Sequence, residues 1–163
     1  MAEELFWSVF DHLKALSPSF DGKTYKGFPR RFKRVIRAVG STTIQLVANC
    51  IDWAKHRRKK AAAKLHMRLD LQSFLPAFAI VYTAKHNDNK RAREMCAHIG
   101  SGEIALFDKA YVDFLHLFDL DARGVFWVTR AKDNMQSRCV KRHIKAPQGN
   151  ILRDDEIVLV NEK

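Results

Sequence analysis

The chain has 163 residues, the size of one ordinary domain, and 47% of them are apolar, enough for a core and too many for a disordered chain. Its net charge of +11 is concentrated between Asp21 and Arg68, where 14 Lys and Arg stand against two Asp. That density points to a polyanion, with a solvated basic face as the competing reading. No apolar run is long enough to span a bilayer, and Glu3 and Glu4 replace the basic lead of an export signal, so neither membrane insertion nor secretion is expected.

Leu5, Phe6, Val9, Phe10, Leu13 and Leu16 recur at helical spacing, and the spacing predicts an amphipathic helix that packs on a neighbour and ends at Pro18. Phe20 to Arg34 has no period and reads as a basic loop with interleaved aromatics, whose commoner duty is anchoring and whose alternative is stacking on bases. Val35 to Val47 is rich in β-branched residues and predicts a strand, with Gly40 in its middle. A glycine there gives up packing and backbone entropy, so it marks a bulge, a close backbone approach or a lost side chain.

Asp52 to Lys64 is the densest cationic patch, expected as a surface loop or short helix. Leu65 to Leu71 alternates Leu65, Met67, Leu69 and Leu71 against His66, Arg68 and Asp70, which predicts a half-buried strand with the leucines inward. Pro76 to Thr83 supplies its antiparallel partner. A helix capped near Asn87 or Asp88 then carries Ala92, Met95, Cys96 and Ile99 on one face and stops at Gly100.

Ile104 to Phe107 is a short buried strand ending on Asp108, and a helical pattern starts near Val112 and closes at Gly124. An acid at the carboxyl end of a parallel strand stands where α/β proteins bind ligands, although capping a turn is the commoner task for such an aspartate. Val125 to Thr129 completes the sheet. Three meandering strands followed by helix, strand, helix, strand give a mixed sheet of ribonuclease H-like order. Two further strands, Arg138 to Ala146 and Ile151 to Val160, flank the turn Pro147 to Asn150 and read as the start of a β-rich insertion. The expected divisions are 1–34 (helix and basic loop), 35–132 (partial catalytic domain) and 133–163. Cys50, Cys96 and Cys139 are odd in number, without a CxxC pair, and read as free, buried thiols of a reducing compartment.

Five short segments fall in order on these elements: Ser41 to Ile44 (STTI), Trp53 to Lys55 (WAK), Lys64 to His66 (KLH), Asp108 to Tyr111 (DKAY) and Phe126 to Lys132 (FWVTRAK). In these the chain resembles the DDE transposases of bacterial insertion sequences, of the insertion-sequence-four type. The resemblance implies DNA as partner, the bacterial cytoplasm and its nucleoid as location, and a triad of two aspartates and a glutamate. The triad holds two Mg²⁺ or Mn²⁺ ions for phosphodiester cleavage and strand transfer. Asp108 matches the second aspartate, as catalytic residue and metal ligand.

The first aspartate of the family stands directly before STTI, where this chain has Gly40, and the glutamate segment is not found in the 163 residues. A truncated, catalytically impaired copy with weak or absent metal binding is therefore expected, with a non-catalytic DNA-binding remnant or a decayed element product as the alternative. Asp52 lies outside the motif and is set aside as a substitute. DNA contacts are expected from Lys55, Arg57, Arg58, Lys59, Lys60 and Lys64, and self-association through an uncovered apolar sheet face. His66 is expected as a hydrogen-bonded or solvent-facing strand residue. His86, His98, His116 and His143 have no metal-ligand spacing and receive no role.

Overall fold

In a computed structural model of the chain, which describes residues 2–16, 31–46, 55–56, 60–83, 89–144 and 146–160, the β-branched run becomes strand β1, Ile36–Leu46. Every other main strand is placed by its pairing with β1 or with a neighbour of it. The fold divides into two units, Met1–Arg130 and Ala131–Lys163.

The first unit holds the sheet. Strand β3, Lys60–Asp70, runs antiparallel beside β1, and β4, Leu75–Thr83, antiparallel beside β3. On the other side of β1, β5 (Ile104–Phe107) and then β6 (Phe126–Thr129) run parallel to it. A two-residue strand β2, Lys55–His56, pairs with the start of β3. The spatial order β4, β3, β1, β5, β6 is three antiparallel strands followed by two parallel ones, the ribonuclease H-like arrangement expected from the sequence. Helices α2, Asn89–Cys96, and α3, Phe114–Ala122, join the parallel part.

Both helices supply one apolar face to the same side of the sheet. Ala92, Met95 and Cys96 of α2 and Leu117 and Leu120 of α3 are buried, together with Val39, Ala105 and Phe107 from the strands. Helix α3 is closed by Gly124, whose φ of 71° is left-handed, and whose amide donates to Asp121 O. A Cβ at that glycine would stand 2.6 Å from Ser101 Oγ, so both backbone sign and space require glycine.

Several expectations from the sequence are corrected. Residues 60–64 are neither loop nor helix but the first half of β3, because β1 pairs with them as far as Ala61. The facing of β3 is inverted. His66 and Arg68 point into the core, while Leu65, Met67 and Leu69 lie on the opposite side, half-buried. Buried polar groups are tolerated once paired, and Arg68 donates to Met95 O at 2.9 Å with its guanidinium 5.4 Å over the Phe78 ring. Burial first, then Arg37, lowers the pKa of Arg68.

The N-terminal helix α1, Ala2–Leu16, is amphipathic as expected, yet Leu5, Val9, Leu13 and Leu16 are exposed rather than packed on a neighbour, and only Trp7 and Phe10 are half-buried in an edge-to-face contact. Cys96 is buried, and burial pushes its thiol up to about 11, but Cys139 is exposed. Cys50 and the proposed cap at Asn87 or Asp88 lie outside the described residues. Helix α2 ends at Cys96, four residues before Gly100.

The second unit is a hairpin of β7, Ser137–Arg142, and β8, Asp155–Leu159, with Gln148 bridged to Ile151 across the expected turn. Its strands are shorter than the sequence suggested. Asp155, with its side chain largely covered, accepts from Arg142 and Arg153, and those hydrogen bonds hold its carboxyl below the usual range.

Candidate active site

Of three parallel strands, β5 and β6 end at one level, and β1 runs on past it. Val39 of β1 is in register with Phe107 of β5, and Phe107 with Thr129 of β6, so the next residues, Gly40, Asp108 and Arg130, stand side by side. Neighbouring strands lie about 4.8 Å apart, so Gly40 and Asp108 are adjacent. The aspartate and the glycine that the motifs single out therefore meet at the carboxyl end of the parallel strands, where a sheet of this type opens to ligands.

Asp108 ends β5 in an extended conformation and caps a single 3-10 turn, Lys109–Tyr111, its carboxylate accepting from the Lys109 amide. The capping role and the position expected of a ligand thus fall to one residue. The same Oδ1 accepts from Arg130 Nη2 at 2.9 Å. That hydrogen bond, then the Lys109 amide, lowers the pKa of Asp108, and the pair raises that of Arg130. Both side chains are more than half exposed, so the contact orients the two groups and adds little stability.

The pattern of DKAY alone does not reveal Arg130 as the partner of Asp108. The two are 22 residues apart, and only the β5/β6 register joins them. A second contact missed from the sequence lies beneath the turn. Tyr111 and His66, each 2% exposed, meet at 2.8 Å between the tyrosine hydroxyl and Nδ1.

Gly40 is exposed and has no left-handed φ, and a Cβ built on it meets nothing within 4 Å. Its place in β1 is compatible with any L-residue, so neither a bulge nor a close backbone approach explains it. Among the described residues, the carboxylate of Asp108, hydrogen-bonded to the Arg130 guanidinium, stands beside a glycine on the neighbouring strand. Among the described residues no group of three His, Cys, Asp or Glu could hold a metal.

Strand β1 continues past the site, from Ser41 to Leu46, and pairs there with His66 to Ala61. Lys64 of that stretch stands opposite Thr43 and is half-buried, roughly 10 Å along the strand from Gly40 at 3.4 Å per residue. Lys55 and Lys60 lie on β2 and β3, whereas Arg57, Arg58, Lys59 and Asp52 lie outside the described residues.

The strand order and the aspartate that follows its fourth principal strand set the chain among proteins with a ribonuclease H-like sheet. This chain belongs to the Transposase DDE domain family, whose model matches residues 31–157. It is 31% identical over 122 residues to the transposase-family protein y4zB of Sinorhizobium fredii, covering 74% of this chain and 33% of that one. It is 26% identical over 106 residues to a protein of Geobacillus stearothermophilus assigned as transposase for insertion sequence element IS5377, covering 65% and 27%. The chain thus spans about a third of the length of the curated relatives it matches. Among solved structures, a piggyBac transposase synaptic complex with hairpin DNA aligns with a TM-score of 0.44 and 10% identity, over 74% of this chain and 30% of that one. No helix among the described residues is long and apolar enough to cross a membrane.

Proposed function

We propose that this chain binds DNA in the manner of a transposase catalytic domain and that its strand-cutting chemistry is impaired by Gly40. The observation that supports the reading is the β1/β5 register, which pairs Val39 with Phe107, so that Gly40 and Asp108 are the next residues on neighbouring strands. In-line attack on a phosphodiester by the two-metal route needs carboxylates on both strands to fix the cations. A lone aspartate cannot provide that chelate, and here Asp108 hydrogen-bonds a guanidinium instead. DNA binding without cutting follows, with Lys55, Arg57, Arg58, Lys59, Lys60 and Lys64 as the phosphate contacts and the bacterial nucleoid as the place of action. The sheet face opposite the helices, which is apolar and exposed, would support self-association.

Restoring an acid at position 40 tests the reading. Gly40→Asp places a carboxylate in open space beside Asp108, and two like charges there repel until a cation lies between them. Calorimetry should show Mn²⁺ binding to Gly40→Asp and weak or no binding to the parent, and Mn²⁺ should raise the melting temperature of the variant alone. Asp108→Asn in that background should abolish the gain. Equal binding by parent and variant, or none by either, would remove the assignment of Gly40 and Asp108 as the remnant of a metal site.

A further inference from the structure

We infer that His66 and Tyr111 are positioning residues for Asp108, a buried strut that fixes the DKAY turn to strand β3. The inference rests on the reading of Asp108 given above. Two segments that the sequence singles out separately, KLH and DKAY, contribute one residue each to this contact, although they are 45 positions apart.

The turn is fixed at its two ends by different means. At its start, Phe107 is buried and paired to both β1 and β6, which places the backbone of Asp108 but does not by itself set the rotamer of its side chain. At its end, the Tyr111 amide donates to Asp108 O at 2.9 Å and the Val112 amide to Lys109 O at 3.2 Å, and those two bonds close the turn that presents the Lys109 amide to the carboxylate. A turn of three residues has few bonds of its own and stays closed only if its last residue is held.

Tyr111 is held by its side chain. Its ring lies edge-on to the His66 imidazole, with centroids 6.0 Å apart, and its hydroxyl bonds Nδ1. His66 in turn sits on β3 opposite Ser41, one residue beyond Gly40 on β1. The strut thus ties Asp108 to the strand that flanks its crevice, through a hydrogen bond shielded from water.

Backbone hydrogen exchange in the full chain tests this directly. Tyr111→Phe keeps the ring and removes only the hydroxyl, so it should raise the exchange of the Tyr111-position and Val112 amides about tenfold while leaving the β5 amides unchanged. His66→Ala should do the same, and His66→Asn, which carries a polar atom at the place of Nδ1, should restore protection. In the Gly40→Asp background, Tyr111→Phe should also weaken Mn²⁺ binding.

Unchanged exchange of the turn in both Tyr111→Phe and His66→Ala would overturn the inference. So would a loss of protection spread evenly over β1, β3 and β5, which marks a merely structural pair, or a looser turn with unaltered Mn²⁺ affinity. If Gly40→Asp binds no Mn²⁺ at all, the metal-site reading fails, and the exchange pattern alone still decides whether the strut holds the turn.

Discussion

His116, on the inner face of α3, is 1% exposed and neither ring nitrogen has a hydrogen-bond partner among the described residues. Burial holds its pKa below the ordinary histidine value, against the pull of Asp119 and Asp113 and with the push of Arg93 and Arg123. The sign of the linkage follows. Below about pH 6.5 the unfolded chain takes up a proton that the folded chain refuses, so the stability contributed by neutral His116 is complete above that pH and is lost as pH falls. His116→Leu fills similar space beside the Phe107 ring and removes two unpaired polar atoms, which cost about 1–3 kcal/mol when buried. Urea unfolding should find the variant at least as stable at about pH 7.5 and less sensitive to acid between about pH 6.5 and 5. An unchanged pH slope would show that His116 is solvated or paired in solution.

At the scale of elements, the legible strands are those whose composition and punctuation agree. Ile104 to Phe107 is bounded by Gly102 and Asp108, and β1 is bounded and β-branched, so both emerge from the sequence almost residue for residue. The first half of β3 does not, because alanine and lysine have little preference for strands. It is extended because β1 pairs with one of its edges and β2 and β4 with the other. Its inverted facing has the same kind of cause: alternation marks the two faces of a strand, but the partners that make His66 and Arg68 acceptable in the core are Tyr111 and Met95, far away in sequence. In the site, Asp108 and Gly40 could be read from motifs, whereas Arg130 and the His66–Tyr111 contact needed the register.

The pairing of β1 with β3 carries Lys60 and Lys64 on the strand beside β1, and the cationic stretch that they belong to is tested as one unit. Each phosphate neutralised steepens the dependence of log affinity on log salt by about 0.9 for duplex DNA. Replacing Lys55, Arg57, Arg58, Lys59 and Lys60 with alanine should flatten that dependence and weaken binding to all duplex sequences alike. The strand pairing of β3 continues through Ala61 to Asp70 and does not rest on those side chains. A slope that stays the same would show the patch to be a solvated face.

Across the whole first unit the two faces of the sheet differ. One is covered by α2 and α3, while the other leaves Ile44, Val81, Leu106, Phe126 and Val128 partly exposed on β1, β4, β5 and β6, with the Arg34 guanidinium 4.4 Å from the Phe126 ring centre. Exposed apolar side chains on one sheet face favour association, and the net charge of +11 opposes it. The balance predicts a salt dependence opposite in sign to that of DNA binding. As salt rises from about 0.05 M to about 0.5 M the screening length shrinks from above 10 Å to a few ångströms, repulsion between copies fades and the apolar faces meet. Sedimentation should therefore show a larger mean mass at the higher salt, with binding of a hydrophobic dye at the lower. Val81→Thr with Val128→Thr keeps two β-branched residues on the strands and makes that face more polar, so it should reduce both signals while leaving the melting temperature nearly unchanged. A chain that stays monomeric across the salt range and binds no dye would show that this face is covered in solution.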